Sequence, residues 1–138
     1  CLWIKRYNSK EFINQIEKSL INAKSLAVIE PLYNEEKLKA LASSDIFVHP
    51  SRTEGMPNGV LEAMSLGLPC LVSPETNMGP FIQEADCGWI VKNTIDSYIR
   101  IFEEIELMTK EQLLLKGANG LDYSKKHLSW KAVAKVNY

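Results

Sequence analysis

The stretch Asp45-Ile46-Phe47-Val48-His49-Pro50-Ser51-Arg52-Thr53-Glu54-Gly55-Met56-Pro57-Asn58-Gly59-Val60-Leu61-Glu62-Ala63-Met64 decides how this chain is read. Ile46 to Val48 is a short apolar run that reads as a buried strand, closed by Pro50. Ser51 to Pro57 is rich in turn-forming and polar residues and reads as a loop. Asn58 stands where a helix cap belongs, ahead of Val60, Leu61, Ala63 and Met64 at helical spacing. Strand, loop and helix start thus follow one another within a single run.

The same alternation extends in both directions. Upstream, Leu2 to Ile4 and Leu26 to Ile29 read as strands. Between them Ser9 caps a helix carrying Phe12, Ile13, Ile16, Leu20 and Ile21. Asn34 is expected to cap a further helix, with Glu35 and Glu36 in its favourable first turn and Leu38 and Leu41 facing inward. Downstream, Gly67 is placed to end the central helix, and Cys70 to Val72 reads as a strand between Pro69 and Pro74. Pro80 suits the first turn of a helix bearing Phe81, Ile82 and Ala85, and Trp89 to Val91 reads as the last strand. Helices follow over about Thr94 to Leu107, about Thr109 to Tyr123, and from near Ser129; Thr109 and Gln112 have capping-box spacing. Five strand–helix alternations predict an α/β fold, a parallel sheet with helices on both faces. In such sheets ligands sit beyond the carboxyl ends of the strands. The loops after Ile4, Ile29, Val48, Val72 and Val91 are therefore where function is expected.

Composition bounds the rest. The chain has 138 residues, the size of one domain, and its 46% hydrophobic residues can build a core. Sixteen Lys and Arg against seventeen Asp and Glu leave a net charge of −1, which argues for neither nucleic acid nor an anionic membrane as partner. The longest apolar runs are four residues, so no segment reads as a membrane span. Cys1, Cys70 and Cys87 are too few and odd in number for a disulfide framework, and no zinc-type ligand spacing occurs. No signal segment is apparent, and the chain reads as cytoplasmic. It opens on Cys1 with no initiator Met, so it is expected to be a single domain, 1–138, cut from a longer polypeptide.

The central run also carries the chemistry. Gly55 and Gly59 let backbone approach a ligand closely. Backbone N–H groups around Gly59 and Val60, at the positive end of a helix, suit a phosphate or diphosphate. Glu54 before the turn and Glu62 one turn into the helix have carboxylates that accept hydrogen bonds from sugar hydroxyls. One ligand bearing hydroxyls, a diphosphate and more hydroxyls matches all three groups, and that is a nucleotide sugar. On local chemistry alone the plain reading stays open: Glu62 as a dipole-favouring acid and Glu54-Gly55 as an ordinary turn.

The ordered series narrows the choice. Glu54 and Glu62 are separated by seven residues, within the run from Asp45 to Met64. With Gly67-Leu68-Pro69-Cys70-Leu71-Val72, Gly88-Trp89-Ile90-Val91 and the weaker Ser129-Trp130, this run resembles the signature of group-four-like retaining glycosyltransferases. The resemblance covers Ala27 to Val91 well. It implies the GT-B fold, two Rossmann-like halves around a cleft, with this chain similar to most of the C-terminal, donor-binding half. By the match Glu54, the candidate catalytic residue, bonds hydroxyls of the transferred sugar. Gly55, Met56 and Pro57 face the sugar. Asn58, Gly59 and Val60 approach the sugar and the diphosphate, Glu62 holds the ribose hydroxyls, and Glu30 to Leu32 lie beside the nucleobase. Such enzymes use no metal and no cofactor beyond the nucleotide-diphosphate sugar. The acceptor, a glycan or lipid-linked sugar, belongs to the absent N-terminal half, as does any membrane contact. Bacterial surface polysaccharide synthesis is the expected setting, and this domain alone is expected to be inactive.

Several residues keep two readings. The basic pair that the resemblance leads one to expect on the diphosphate is missing upstream; Lys5 and Arg6 are read as a solvated strand end, and Arg52 as either a loop charge or a donor contact. His49 ends a strand near the site, either packed there or touching a ligand. Thr76 to Pro80 either closes over the sugar or simply leads into a helix. Cys70 and Cys87 read as core residues, and His127 is assigned no role. Two other functions stay open: a sugar-nucleotide epimerase of the same architecture, and a non-catalytic nucleotide-binding module.

Overall fold

A computed structural model of the protein describes residues 32–128. The expected strands at Leu2 to Ile4 and Leu26 to Ile29, the helix after Ser9 and the one near Ser129 lie outside the described residues, as do Lys5 and Arg6. The chain divides into two units, Cys1–Ala40 and Leu41–Tyr138. Of the first, the structure describes the beginning of helix α1 (Asn34–Ala42), where Glu35 and Lys39 pair at 3.6 Å across one turn. Asn34 stands at its first position with φ of 50°, a conformation that asparagine tolerates better than most residues. Leu41 is buried as expected, but Leu38 is 43% exposed, so only the former belongs to a core.

The second unit is built on a parallel sheet of three strands, β1 (Phe47–His49), β2 (Cys70–Val72) and β3 (Gly88–Ile90), in that spatial order. Each strand except β2 is displaced by one residue from its sequence reading. The ladder begins where the Phe47 N–H donates to the Pro69 carbonyl at 2.9 Å, so Ile46 stands before it. Gly88 enters β3 because it lies opposite Cys70, where an added Cβ would fall 1.8 Å from the Cys70 carbonyl oxygen. Only glycine fits so close an approach. Helix α2 (Asn58–Ser65) crosses from β1 to β2, and a 3-10 turn (Pro74–Thr76) with helix α3 (Gly79–Ala85) crosses from β2 to β3. The register aligns His49, Val72 and Ile90, so the three carboxyl ends lie side by side.

The core fills with Val60, Ala63 and Met64 of α2, Cys70 and Val72 of β2, and Met78, Ile82 and Cys87 around α3. α2 ends as Gly67 predicts. Gly67 has φ of 75°, its N–H donates to the Met64 carbonyl, and the Leu68 N–H donates to that of Ala63. That is the Schellman pattern, with Leu68 and Ala63 both buried beside it. Helix α4 (Ile95–Glu106) is capped by Thr94, whose hydroxyl accepts the Ser97 N–H. Helix α5 (Lys110–Tyr123) starts with the predicted capping box between Thr109 and Gln112 and continues into a π-helical turn over Ser124–Leu128. α5 packs closely on the rest. A Cβ at Gly117 would lie 1.9 Å from the Gly67 carbonyl oxygen, and one at Gly120 would lie 3.0 Å from Cys87. Lys116 bonds Asp86 at 2.7 Å and stands over the Trp89 ring, tying α5 to the turn between α3 and β3.

Candidate donor site at the strand ends

Three loops leave the carboxyl edge of the sheet together: Pro50 to Pro57 after β1, Ser73 to Met78 after β2, and Val91 to Thr94 after β3. Because the strands are in register, Ser51 and Ser73 meet as neighbours. The Ser73 hydroxyl, fully buried, donates to the Ser51 carbonyl at 2.6 Å and accepts the Ser51 N–H at 3.0 Å. Asn93 donates to the same Ser51 carbonyl at 3.4 Å, bringing in the third loop. Further along, the Glu54 N–H donates to the Glu75 carbonyl at 3.1 Å, and the Asn77 amide donates to the Glu54 carbonyl at 2.7 Å. Asn77 reaches it from a left-handed conformation, φ 58°. Glu75 and Asn77 therefore brace the Glu54 segment, and of the run Thr76 to Pro80 it is Asn77 that reaches it.

Glu54 is thus fixed at both backbone groups, and its carboxylate is half-buried. One oxygen, Oε1, takes the Ser51 hydroxyl at 3.3 Å and lies 3.5 Å from His49 Nε2. Gly55 and Met56 are exposed and Pro57 is buried. Among the described residues nothing approaches within 4 Å of the place a Gly55 side chain would fill. Gly59 has a different reason: a Cβ there would press on the Phe47 ring at 3.3 Å.

The helix start differs from expectation. Pro57, not Asn58, occupies the cap, with extended backbone and no side-chain cap bond. Its carbonyl takes the Val60 N–H at 3.0 Å and the Leu61 N–H at 3.4 Å. The Val60 N–H is therefore used inside the turn. The N–H groups of Asn58 and Gly59 are the ones left without an intrahelical partner, at the positive end of the helix dipole. Glu62 is half-buried one turn further along α2. Leu32, the described end of the expected base-side loop, is half-buried.

Other candidates separate clearly. Arg52 is exposed and makes no ion pair among the described residues. Cys70 and Cys87 are buried and free, as read. Burial pushes the Cys70 thiol well up, and burial is also the main cause that raises Cys87 to about 11. Both stay protonated and unreactive at neutral pH. His127 lies against Tyr123, with ring centres 4.5 Å apart. The residues that brace the site, Ser73, Asn77 and Asn93, carry no local signal for that task. Their loops were legible as the strand ends, but a partner 22 residues away, as for Ser73 and Ser51, shows only after folding. Tyr98 of α4 is a similar case: its hydroxyl is buried with no hydrogen-bond partner among the described residues, and burial and then the Glu75 charge raise its pKa.

A family model described as glycosyl transferases, group 1, matches residues 2–119. The chain belongs to this family. A 60-residue stretch is 45% identical to the UDP-Gal:alpha-D-GlcNAc-diphosphoundecaprenol alpha-1,3-galactosyltransferase of Escherichia coli, covering 43% of this chain and 16% of that protein. The crystal structure of WaaG, a glycosyltransferase involved in lipopolysaccharide biosynthesis, superposes with a TM-score of 0.73 at 16% identity, over 93% of this chain and 34% of that one. The chain thus spans about a sixth and about a third of these relatives. The α/β fold is that of a GT-B glycosyltransferase, as the sequence reading expected. Among the described residues no helix is long and apolar enough to cross a membrane.

Proposed function

We propose that this chain is the donor-binding half of a retaining glycosyltransferase that moves a sugar from a nucleotide diphosphate to a glycan or lipid-linked acceptor. The observation that carries the reading is the braced Glu54 segment set immediately before the two N–H groups of α2 that have no intrahelical partner. A diphosphate at Asn58 and Gly59 meets backbone donors and the helix dipole. The attached sugar then faces Gly55, whose side-chain place is clear among the described residues, and Glu54 accepts its hydroxyls. Glu62, on α2, serves the ribose. Charge grows on the diphosphate as the glycosidic bond breaks, and donors fixed before the reaction stabilise it without reorganising. No metal is needed for that step in this reading. The loop Glu30 to Leu32 serves the nucleobase and a second, N-terminal half supplies the acceptor, so the two-domain protein is the active unit and this half alone transfers nothing. The protein works at the cytoplasmic side, peripheral to a membrane if its acceptor is lipid-linked.

The galactosyltransferase likeness makes UDP-galactose the first donor to test. The full-length protein, given UDP-galactose and a diphosphoundecaprenol-linked N-acetylglucosamine, is expected to release UDP and form a new α-galactoside. Glu54→Ala should lower kcat/KM by about 100-fold or more, the cost of losing contacts to the reacting sugar. Isomerised donor without a new linkage would instead indicate an epimerase. Full activity in Glu54→Ala would reject the site.

A further inference from the structure

His49 Nε2 is buried and has no hydrogen-bond partner of proper geometry among the described residues, yet it lies 3.5 Å from Glu54 Oε1. The ring that carries it is held. Phe47 and His49, two apart on β1, point to the same side and stack at 6.0 Å with only 13° between their planes. The same Phe47 ring lies 3.3 Å from the place a Cβ on Gly59, at the start of α2, would occupy. The Phe47 ring thus stands between the helix start and the imidazole that faces Glu54. The Ser51 hydroxyl reaches the same carboxylate oxygen at 3.3 Å.

We propose that His49 is a positioning residue: through an Nε2–H aimed at Glu54 Oε1 it holds that oxygen, together with Ser51, so that Oε2 is presented to the ligand. The proposal rests on the donor-site reading above. A bare Nε2 lone pair facing a carboxylate would repel it, and a buried N–H without an acceptor would be costly, so the Nε2–H form with Glu54 as acceptor satisfies both groups. The 3.5 Å gap closes with a small rotation of the Glu54 side chain, which is the movement a bound sugar on Oε2 would complete.

The first test needs no donor. Nitrogen NMR of the full-length protein, with the His49 signals assigned by their loss in His49→Gln, should show a protonated Nε2; a neutral ring protonated only at Nδ1 overturns the proposal. The second test is transfer from UDP-galactose. His49→Leu should lose about 10-fold or more in kcat/KM, the loss of one hydrogen bond to a charged group, whereas His49→Gln, whose amide nitrogen replaces Nε2, should stay within about 3-fold. In a Glu54→Ala background His49→Leu should cost less than about 2-fold more, because the group it positions is already gone. An equal loss in both backgrounds means that His49 merely supports the fold, and overturns the proposal. If His49→Leu fails to fold, His49→Asn, which places its amide at Nδ1, takes its place and should be as impaired. Glu54→Ala with undiminished activity would sink the donor-site reading itself; impaired Glu54→Ala with unimpaired His49 variants sinks only the role of His49.

Discussion

Ser73→Ala isolates what holds the site loop to the sheet. The hydroxyl it removes makes two bonds to Ser51, donating to its carbonyl at 2.6 Å and accepting its N–H at 3.0 Å. Both backbone groups of Ser51 lose that partner; among the described residues the carbonyl keeps the long contact from Asn93 at 3.4 Å. An unsatisfied, partly buried backbone group costs about 1–3 kcal/mol, and Ser51 is half-buried, so water recovers some of this. About 2 kcal/mol of local stability should be lost. With a urea slope of about 2 kcal/mol/M, the midpoint for this unit falls by about 1 M. Hydrogen exchange on the full-length protein reads the effect where it arises: the Ser51 amide should lose about 30-fold of its protection, and the Glu54 amide should follow. kcat/KM should fall further than global stability suggests, because Ser51 also reaches the Glu54 carboxylate. Unchanged exchange at Ser51 with an unchanged midpoint would refute the idea that this serine pair fixes the site loop.

Other outcomes follow from the same contacts. Gly117→Ala places a methyl 1.9 Å from the Gly67 carbonyl, which is backbone and cannot swing away, so the variant should lose 3 kcal/mol or roughly more, read as a collapse of the thermal midpoint. Thr109→Ala removes the capping box of α5 far from the strand ends; stability should drop by about 1 kcal/mol in urea titration while donor affinity holds. Cys87 titrates from an ordinary value of 9.0 to about 11 in the folded protein. Its unfolded thiol therefore loses its proton first, so stability is constant below pH about 9 and declines as pH rises toward 11; a Cys87→Ala variant should show a flatter alkaline limb.

How much of this was legible in the chain follows from the range of each signal. Elements set by local chemistry read correctly: the glycine that ends α2, the Thr109 capping box, and the proline that opens α3. Strand ends slipped by one residue, because the ladder begins where a partner strand offers a carbonyl, and that partner is distant in sequence. The Pro57 cap was missed for a local reason: Asn58 is the better side-chain cap by type, but the chain is already helical there. The Glu54 to Glu62 run stands out as a candidate site because its elements are contiguous. Its support was not, since Ser73, Asn77 and Asn93 are ordinary loop residues until the parallel register sets them beside Ser51 and Glu54. Gly117 likewise looks like a poor helix residue by propensity, and only the close approach of Gly67 explains it.

The most direct test of the donor site is a crystal structure of the full-length protein with UDP-galactose or UDP bound. The account predicts diphosphate oxygens within hydrogen-bonding distance of the Asn58 and Gly59 N–H groups, ribose hydroxyls on Glu62, and the sugar against Gly55 with a hydroxyl on Glu54. A nucleotide bound elsewhere, or one whose diphosphate turns away from the start of α2, would contradict it.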